Sequence, residues 1–188
     1  EQSELVSQLL FGESYRVLGK FESWLQIETT DCQYIGWIDK KVYFPIEKEE
    51  FLLYKSEEKQ FQKELFLLIK DIKKNITFPI FAGSTYPHPQ NGIFSLVTSS
   101  YSIISPIELS LQNSEENSVK NFILFAHSYI NSPYLWGGRS PAGIDCSGFV
   151  QIVFKSANIL LPRDSSQQVL FGETVDFFNE IREGDVAF

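Results

Sequence analysis

The residue in this sequence with the clearest chemical potential is Cys146, within PYLWGGRSPAGIDCSGFVQ at residues 133–151. A glycine-rich loop precedes it and apolar residues at helical spacing follow it, which predicts that Cys146 lies at or near a helix N-terminus. Unpaired N–H groups and the helix dipole there favour the thiolate, the nucleophilic form of cysteine. The small neighbours Ser147 and Gly148 leave access for a substrate carbonyl, and the N–H groups, including that of Cys146, could stabilise an oxyanion.

Most free cysteines are small buried residues, and burial or simple surface exposure is expected for Cys32. A nucleophilic thiol also needs a base. The chain has two histidines: His127 falls on a predicted helix, where an ordinary packed or half-exposed side chain is expected, and His88 lies between two prolines in a turn. Spacing alone therefore indicates an activated cysteine without an identified partner.

Three segments of different character precede the cysteine region. Residues 1–47 alternate short apolar runs with glycines, which predicts a small β-barrel of hairpins. Residues 48–74 mix charged and apolar residues at helical spacing without Gly or Pro, which predicts one or two connecting helices. Residues 75–112 return to short strands around the turn dipeptide Asn91-Gly92, and they predict a second, smaller barrel.

Helices dominate the prediction for residues 113–188. The first helix begins at Ser114, and one face of it is apolar. A second, buried helix follows Cys146. A third begins near Asp164 or Ser165, and a strand is predicted at residues 186–188. The apolar face of the first helix comprises Val119, Phe122, Ile123, Ala126, Tyr129 and Ile130.

Composition excludes several classes of function. The net charge of −8 argues against nucleic-acid binding, because phosphate contacts need clustered Lys and Arg. No apolar stretch is long enough to span a membrane, and no cluster of ligand-type residues implies a metal or other cofactor. The few cysteines and the lack of a visible export signal favour the cytoplasm. The periplasm or secretion stays open if a signal has been lost, since the chain lacks methionine and is interpreted as processed or incomplete.

Several motifs after residue 113 resemble the NlpC/p60 family of bacterial cell-wall cysteine peptidases. They are the YLWGG loop, the DCSG segment, LPR with a following Gln, and EGD before a predicted strand, in the family's order. In the first segment, QLLFGE and YIGWID are similar to the bacterial SH3-like domain that precedes such catalytic domains. The resemblance implies an α+β, papain-like fold over residues 113–188, with two SH3-like barrels before it.

The resemblance also implies a catalytic arrangement. Cys146 is the expected nucleophile, and the base is a histidine on a later strand, oriented by a second polar residue. Both are expected beyond Phe188, so the catalytic domain is expected to be incomplete in this chain. The sequence identifies neither the catalytic histidine nor the oligomeric state.

The resemblance to family members with an SH3-like domain implies a substrate class. It consists of peptidoglycan stem peptides with a free N-terminal L-Ala, which are cut between γ-D-Glu and meso-diaminopimelate or lysine. Asp164, where general wall hydrolases commonly have Thr or Ser, could pair with the substrate ammonium or merely cap a helix. Arg163 could support the site or bind a substrate carboxylate. The other expected substrate-binding residues are Tyr134, Asp145, Ser147 and Ser165, with Glu13 and Tyr34 from the first barrel.

Two alternatives remain open from the sequence. A broader hydrolase of intact cell wall would use the same thiol, and a non-catalytic module would bind wall peptides without turnover.

Overall fold

The computed structural model describes residues 3–104 and 118–188, and it forms two compact units. The first, called here the β unit, spans Leu9–Ile107. The second, called here the thiol unit, combines Glu1–Gln8 with Glu108–Phe188. Residues 3–8, which were predicted to begin the first barrel, therefore pack with the cysteine region instead. None of the helices in the two described stretches is long and apolar enough to cross a membrane.

The β unit consists of antiparallel sheets. A three-stranded sheet has the order β1-β2-β3, a four-stranded sheet has the order β6-β5-β9-β8, and β4 pairs with β7. A 3-10 helix at Lys40–Val42 and the α-helix α1, Lys48–Ser56, lie between the first and second sets of strands. The strands are β1 Tyr15–Phe21, β2 Trp24–Thr29, β3 Ile35–Asp39, β4 Lys59–Phe61, β5 Phe66–Asp71, β6 Ile76–Phe81, β7 Thr85–Pro87, β8 Ile93–Leu96 and β9 Ser99–Ile103.

The predicted turn at Asn91-Gly92 is confirmed. Both residues have positive φ, at 52° and 75°, which is the left-handed conformation that a type I′ turn requires. Gln90 and Ile93 flank the turn and exchange both of their backbone hydrogen bonds, at 2.8 and 3.0 Å. The dipeptide therefore sets the register at this point of the chain.

The prediction of a helical connection over residues 48–74 is wrong beyond Ser56. The chain forms β4 and β5 there, and along β5 the even-numbered positions are more exposed than the buried Leu67, Ile69 and Asp71. Apolar residues are so dense in this run that they match both the helical period of about 3.6 residues and the strand period of about 2. Helical spacing alone therefore could not distinguish a helix from a strand. Cross-strand pairing, of β4 with β7 and of β5 with β6 and β9, selects the extended conformation.

Aromatic rings fill the core of the four-stranded sheet. Phe94 is 3% exposed, and its ring stacks on Tyr86 at 4.7 Å and on Tyr101 at 5.4 Å between centroids. Phe11, which precedes β1 in the chain, contacts the same cluster edge-on, at 6.2 Å from Phe94. The abundance of Phe in this sequence is therefore explained in part by a thin sheet that rings can fill.

Among its described residues the thiol unit contains three α-helices, a short hairpin and a 3-10 helix at Phe178–Glu180. The other elements are α2 Ser118–Ser128, β10 Arg139–Ser140, β11 Gly143–Ile144, α3 Cys146–Lys155 and α4 Ser165–Gln168. Helix α2 packs on α3 through the edge-on ring pair Phe122 with Phe154, and Tyr129, just after α2, contacts Phe149 of α3 in the same way. The predicted start at Ser114 lies outside the described residues.

Two details of the thiol unit differ from prediction. The most buried residue of α2 is Phe125, at 2% exposure, whereas Val119 and Ile130 of the predicted apolar face are exposed. Residues 186–188 are irregular and not a strand, because no described strand pairs with them.

We expect Phe94→Ala to lower the free energy of unfolding by about 3–5 kcal/mol, because it leaves a cavity between stacked rings. The matched control is Phe66→Ala on β5, whose side chain is 60% exposed and whose loss should cost less than about 1 kcal/mol. Urea unfolding of both variants measures the difference. Equal losses would contradict this account of the core.

Candidate active site

Cys146 is the first residue of α3, as its sequence context predicts, and its free thiol is exposed. Asp145 is the N-cap, with extended backbone at φ −100° and ψ 174°. Its side chain accepts the N–H of Gly148 at 2.7 Å. The N–H of the first helical residue has no partner within a helix, so the amide of Cys146 lies beside its own sulfur as a donor.

The glycine-rich loop packs closely against α3. A Cβ added to Gly148 would lie 2.3 Å from the carbonyl oxygen of Gly138, and one added to Gly138 would lie 2.3 Å from that of Gly143. Only glycine permits these approaches, because the obstacle in each case is backbone. The DCSG and YLWGG motifs thus fit each other at these contacts.

A buried ion pair underlies the cysteine. The carboxylate of Asp145 accepts from a guanidinium N–H of Arg163 at 2.6 Å, and the two side chains are 8% and 2% exposed. Arg163 donates a second bond, also 2.6 Å, to the hydroxyl of Ser147. Ser147 in turn lies 3.3 Å from Asp145, and Gly137 donates its N–H to the same carboxylate at 2.8 Å. Asp145 therefore joins loop, helix and the LPR segment.

The ionisation of Asp145 follows from these contacts. Burial raises the pKa of Asp145, but the hydrogen bond from Arg163, the N–H of Gly148, the charge of Arg163 and the N–H of Gly137 together outweigh burial. The net result is a pKa below the ordinary value of 3.8. The carboxylate is charged at neutral pH and stabilises the fold in that form.

Gln168 also holds α3 in place, and sequence reasoning gave it no individual role. Its side chain is 2% exposed and donates to the carbonyls of Ser147 and Pro162, each at 2.9 Å. The signal that could have found it is the position of a Gln at the end of a helix predicted next to the site. It connects α4 to the first turn of α3.

The thiol opens into a cavity of about 430 Å³. Cys146, Ser165 and Gln168 line it together with the apolar side chains of Val150 and Val169. The cavity therefore offers a nucleophile and a hydroxyl beside an apolar wall. Within residues 3–104 and 118–188, no group of three or more His, Cys, Asp or Glu side chains could hold a metal ion.

The other residues predicted from the sequence fall into different places. Tyr134 is 66% exposed, in the loop before the hairpin. Asp164 is the N-cap of α4, but its side chain makes no capping hydrogen bond, so a purely capping role does not account for it. Glu13 and Tyr34 belong to the β unit. Their contribution to a substrate site stays a prediction, as do those of Tyr134, Asp164 and Ser165.

The side chains of Asp145 and Ser147 are buried and engaged with each other and with Arg163. The N-cap geometry turns the carboxylate of Asp145 inward toward the N–H of Gly148. Ser147 also lines the cavity, and the contact of these two residues with substrate stays a prediction. For Arg163, burial favours the supporting role of the two that the sequence left open.

The two histidines of the chain lie in different units. His127 is on α2 and exposed, and His88 is an exposed residue of the β unit.

Comparison with known proteins agrees with the motifs. Residues 131–188 match the NlpC/P60 family, and residues 1–41 match the bacterial dipeptidyl-peptidase Sh3 domain. The sequence-based resemblance to this family and the α+β fold are therefore confirmed.

Two curated relatives match almost the whole chain. A gamma-D-glutamyl-L-lysine dipeptidyl-peptidase of Bacillus subtilis is 24% identical over 190 residues, which cover 97% of this chain and 63% of the relative. A dipeptidyl-peptidase 6 of Lysinibacillus sphaericus is 24% identical over 205 residues, covering 99% and 74%. The chain thus spans less than two thirds of the Bacillus subtilis relative.

A solved structure shows the same fold. It is an NlpC/P60 family protein from Bacillus cereus, with a TM-score of 0.77 and 20% identity, and the match covers 95% of this chain and 63% of that one.

We expect Asp145→Asn to destabilise the protein by about 3 kcal/mol at pH 7, because it leaves Arg163 buried without its counter-charge. Since the folded-state pKa of Asp145 is below the unfolded value, its contribution is complete above pH 4 or so and is lost as the pH falls through the folded-state pKa. Urea unfolding from pH 7 to pH 3 should therefore show the difference between wild type and variant shrinking toward low pH.

The matched control is Glu28→Gln, which removes the acid of the exposed Arg16–Glu28 pair. It should cost less than about 1 kcal/mol. A difference for Asp145→Asn that stays constant with pH would show that its charge is not what stabilises the site.

Proposed function

Since the chain carries an NlpC/P60 domain together with a bacterial dipeptidyl-peptidase Sh3 domain, we propose that it is a cysteine peptidase of cell-wall peptides. The bond proposed for cleavage joins γ-D-glutamate to meso-diaminopimelate or lysine in stem peptides with a free N-terminal L-Ala. The single observation that carries this proposal is an exposed thiol at the first position of α3, opening into a cavity and held from below by a buried ion pair.

The reaction proceeds through a thioester. The sulfur of Cys146 attacks the γ-carbonyl carbon, and the new C–S bond places negative charge on the carbonyl oxygen. The backbone N–H of Cys146 is a donor for that oxygen. Collapse of the intermediate breaks the C–N bond, the amine leaves with a proton from the base, and water then hydrolyses the thioester and regenerates the thiol.

The base that accepts the thiol proton is the histidine that the family resemblance implies, expected after Phe188. It stays a prediction, and so does the polar residue that orients it. The described residues supply the nucleophile, the oxyanion donor and the support of α3.

Asp164 is proposed to bind the free ammonium of the substrate. It begins α4 next to Ser165, which lines the same cavity as Cys146. A carboxylate that makes no capping bond is available for a charge-assisted hydrogen bond to an amine. Tyr134 and Ser165 are proposed to contact the same peptide, with Glu13 and Tyr34 as further contacts.

The names of relatives support this class of substrate. The Bacillus subtilis relative is named for a γ-D-glutamyl-L-lysine bond, and the Lysinibacillus sphaericus relative is named a dipeptidyl-peptidase. Recycling of released wall peptides in the cytoplasm is the context that we propose.

We expect Cys146→Ala to abolish release of L-Ala-γ-D-Glu from the tripeptide with lysine or diaminopimelate, because no other group at this position can form the thioester. Cys32→Ser is the matched control, since Cys32 is the other free thiol and belongs to the β unit. It should keep wild-type turnover, and mass spectrometry of the products measures both. Turnover by Cys146→Ala would contradict the mechanism, and binding without turnover by the wild type would favour a binding module.

We expect Asp164→Asn to lower the preference for a free amine over an N-acetylated substrate by roughly tenfold, the value of one charge-assisted hydrogen bond. The measurement is the ratio of kcat/KM for free and acetylated tripeptide. Asp176→Asn, at an exposed acid of the same unit, should leave that ratio unchanged. An unchanged ratio in Asp164→Asn would contradict this role of Asp164. Efficient cleavage of the acetylated tripeptide or of intact sacculi by the wild type would indicate a broader wall hydrolase.

A further inference from the structure

Residues 5–8, called here the N-terminal segment, belong to the thiol unit although the β unit, Leu9–Ile107, follows them in the chain. Resting on the proposed function, we propose that Ser7 and Gln8 are positioning residues for the peptidase reaction, which act on Cys146 through Arg163 and the glycine-rich loop. Sequence similarity assigns this segment to the Sh3 domain, whose match begins at residue 1. The contacts of the segment, however, are with residues that surround Cys146.

The first contact is with Arg163. Two nitrogens of this guanidinium are used by Asp145 and Ser147, each at 2.6 Å. The third, Nε, donates to the hydroxyl of Ser7 at 3.3 Å. Ser7 therefore supplies the partner that lies outside the cysteine motif, 156 residues away in sequence. Because all three nitrogens are engaged, the orientation of the guanidinium toward Asp145 is fixed.

The second contact is with the loop. The side-chain oxygen of Gln8 accepts a hydrogen bond from the backbone N–H of Arg139 at 2.8 Å. The backbone carbonyl oxygen of Gln8 accepts one from the Arg139 guanidinium at 2.6 Å. Arg139 is 5% exposed and begins β10. The preceding residue, Gly138, accepts the backbone N–H of Asp145 at 3.3 Å. Gln8 thus holds the backbone one residue from the point where the loop meets the N-cap.

The third contact is steric. A Cβ at Gly137 would lie 2.3 Å from the carbonyl oxygen of Leu5, and Gly137 has φ +76°. The N–H of Gly137 donates to the carboxylate of Asp145. The N-terminal segment therefore touches Arg163, Gly137 and Arg139. Arg163 and Gly137 each bond directly to Asp145, and Arg139 is linked to it through the peptide unit and carbonyl of Gly138.

These contacts predict a specific consequence for chemistry. Asp145 caps α3 and sets the position of the Cys146 backbone N–H and sulfur. Removing the side-chain acceptors on the N-terminal segment loosens Arg163 and the loop while leaving the substrate-binding residues in place. The loss should therefore appear in kcat rather than in KM, because alignment of the attacking sulfur is what suffers.

The experiment compares the double variant Ser7→Ala/Gln8→Ala with the control Ser3→Ala/Glu4→Gln, at exposed positions just before it. All variants carry Cys32→Ser, so that iodoacetamide reports on Cys146 alone. We expect the double variant to lose roughly tenfold in kcat per titrated thiol, with KM changed less than about twofold, because it loses one neutral hydrogen bond and one from the Arg163 guanidinium. Its rate of alkylation should fall about threefold, as the cap on α3 loosens. The control should match wild type.

Single variants keep the test decisive if the double variant does not fold. Gln8→Ala should lose roughly threefold in kcat, and Gln8→Glu should restore it, since a carboxylate oxygen replaces the acceptor for the Arg139 N–H. Wild-type kcat and alkylation rate in Gln8→Ala and the double variant would overturn the proposal. So would a loss in melting temperature with unchanged kcat per titrated thiol, because that would show a structural role only.

Failure of the proposed function gives a different pattern. If the tripeptide is not cleaved by wild type, the proposed function fails. A slower alkylation of Cys146 in Ser7→Ala/Gln8→Ala than in Ser3→Ala/Glu4→Gln would then still support the positioning role, and equal rates would overturn it as well.

Discussion

The buried ion pair between Asp145 and Arg163 is the interaction on which the rest of the site depends. Removing two charges from water costs several kcal/mol, and mutual attraction compensates only when the remaining lone pairs and protons are also satisfied. That condition is met here, since the carboxylate accepts from Gly137, Gly148 and Arg163 and lies within reach of the Ser147 hydroxyl. The pair is thus best understood as a junction that fixes the geometry of the surrounding backbone.

What the junction positions is a helix N-terminus with a thiol on it. The carboxylate caps α3, and the glycine contacts let the loop lie directly on the helix, so Cys146 is held without being covered. The pieces come from separate parts of the chain, namely the glycine-rich loop, the DCSG turn, the LPR segment, α4 and the N-terminal segment. The site therefore exists only in the folded chain, because contacts from several distant segments together hold the sulfur in place.

Local signals predicted the parts of this structure that are themselves local. The position of Cys146 at the start of α3 and the turn at Asn91-Gly92 follow from the spacing of apolar residues and from backbone conformational preference. Prediction failed where tertiary contacts decide. Residues 66–71 have an apolar density compatible with helix or strand, and pairing of this segment to β6 and β9 selects strand. The inward direction of the Asp145 side chain and the contact of Ser7 with Arg163 depend on partners far away in sequence, which no local pattern contains.

The central claim is that the exposed sulfur of Cys146 forms a covalent bond to the γ-carbonyl of a wall peptide. Rapid acid quenching during turnover of L-Ala-γ-D-Glu-L-Lys, followed by proteolysis and mass spectrometry, tests it most directly. The account predicts an L-Ala-D-Glu acyl group on the peptide that contains Cys146, and its loss after treatment with hydroxylamine, which cleaves thioesters. Cleavage of the tripeptide with no acyl group on that peptide at any quench time would contradict the account.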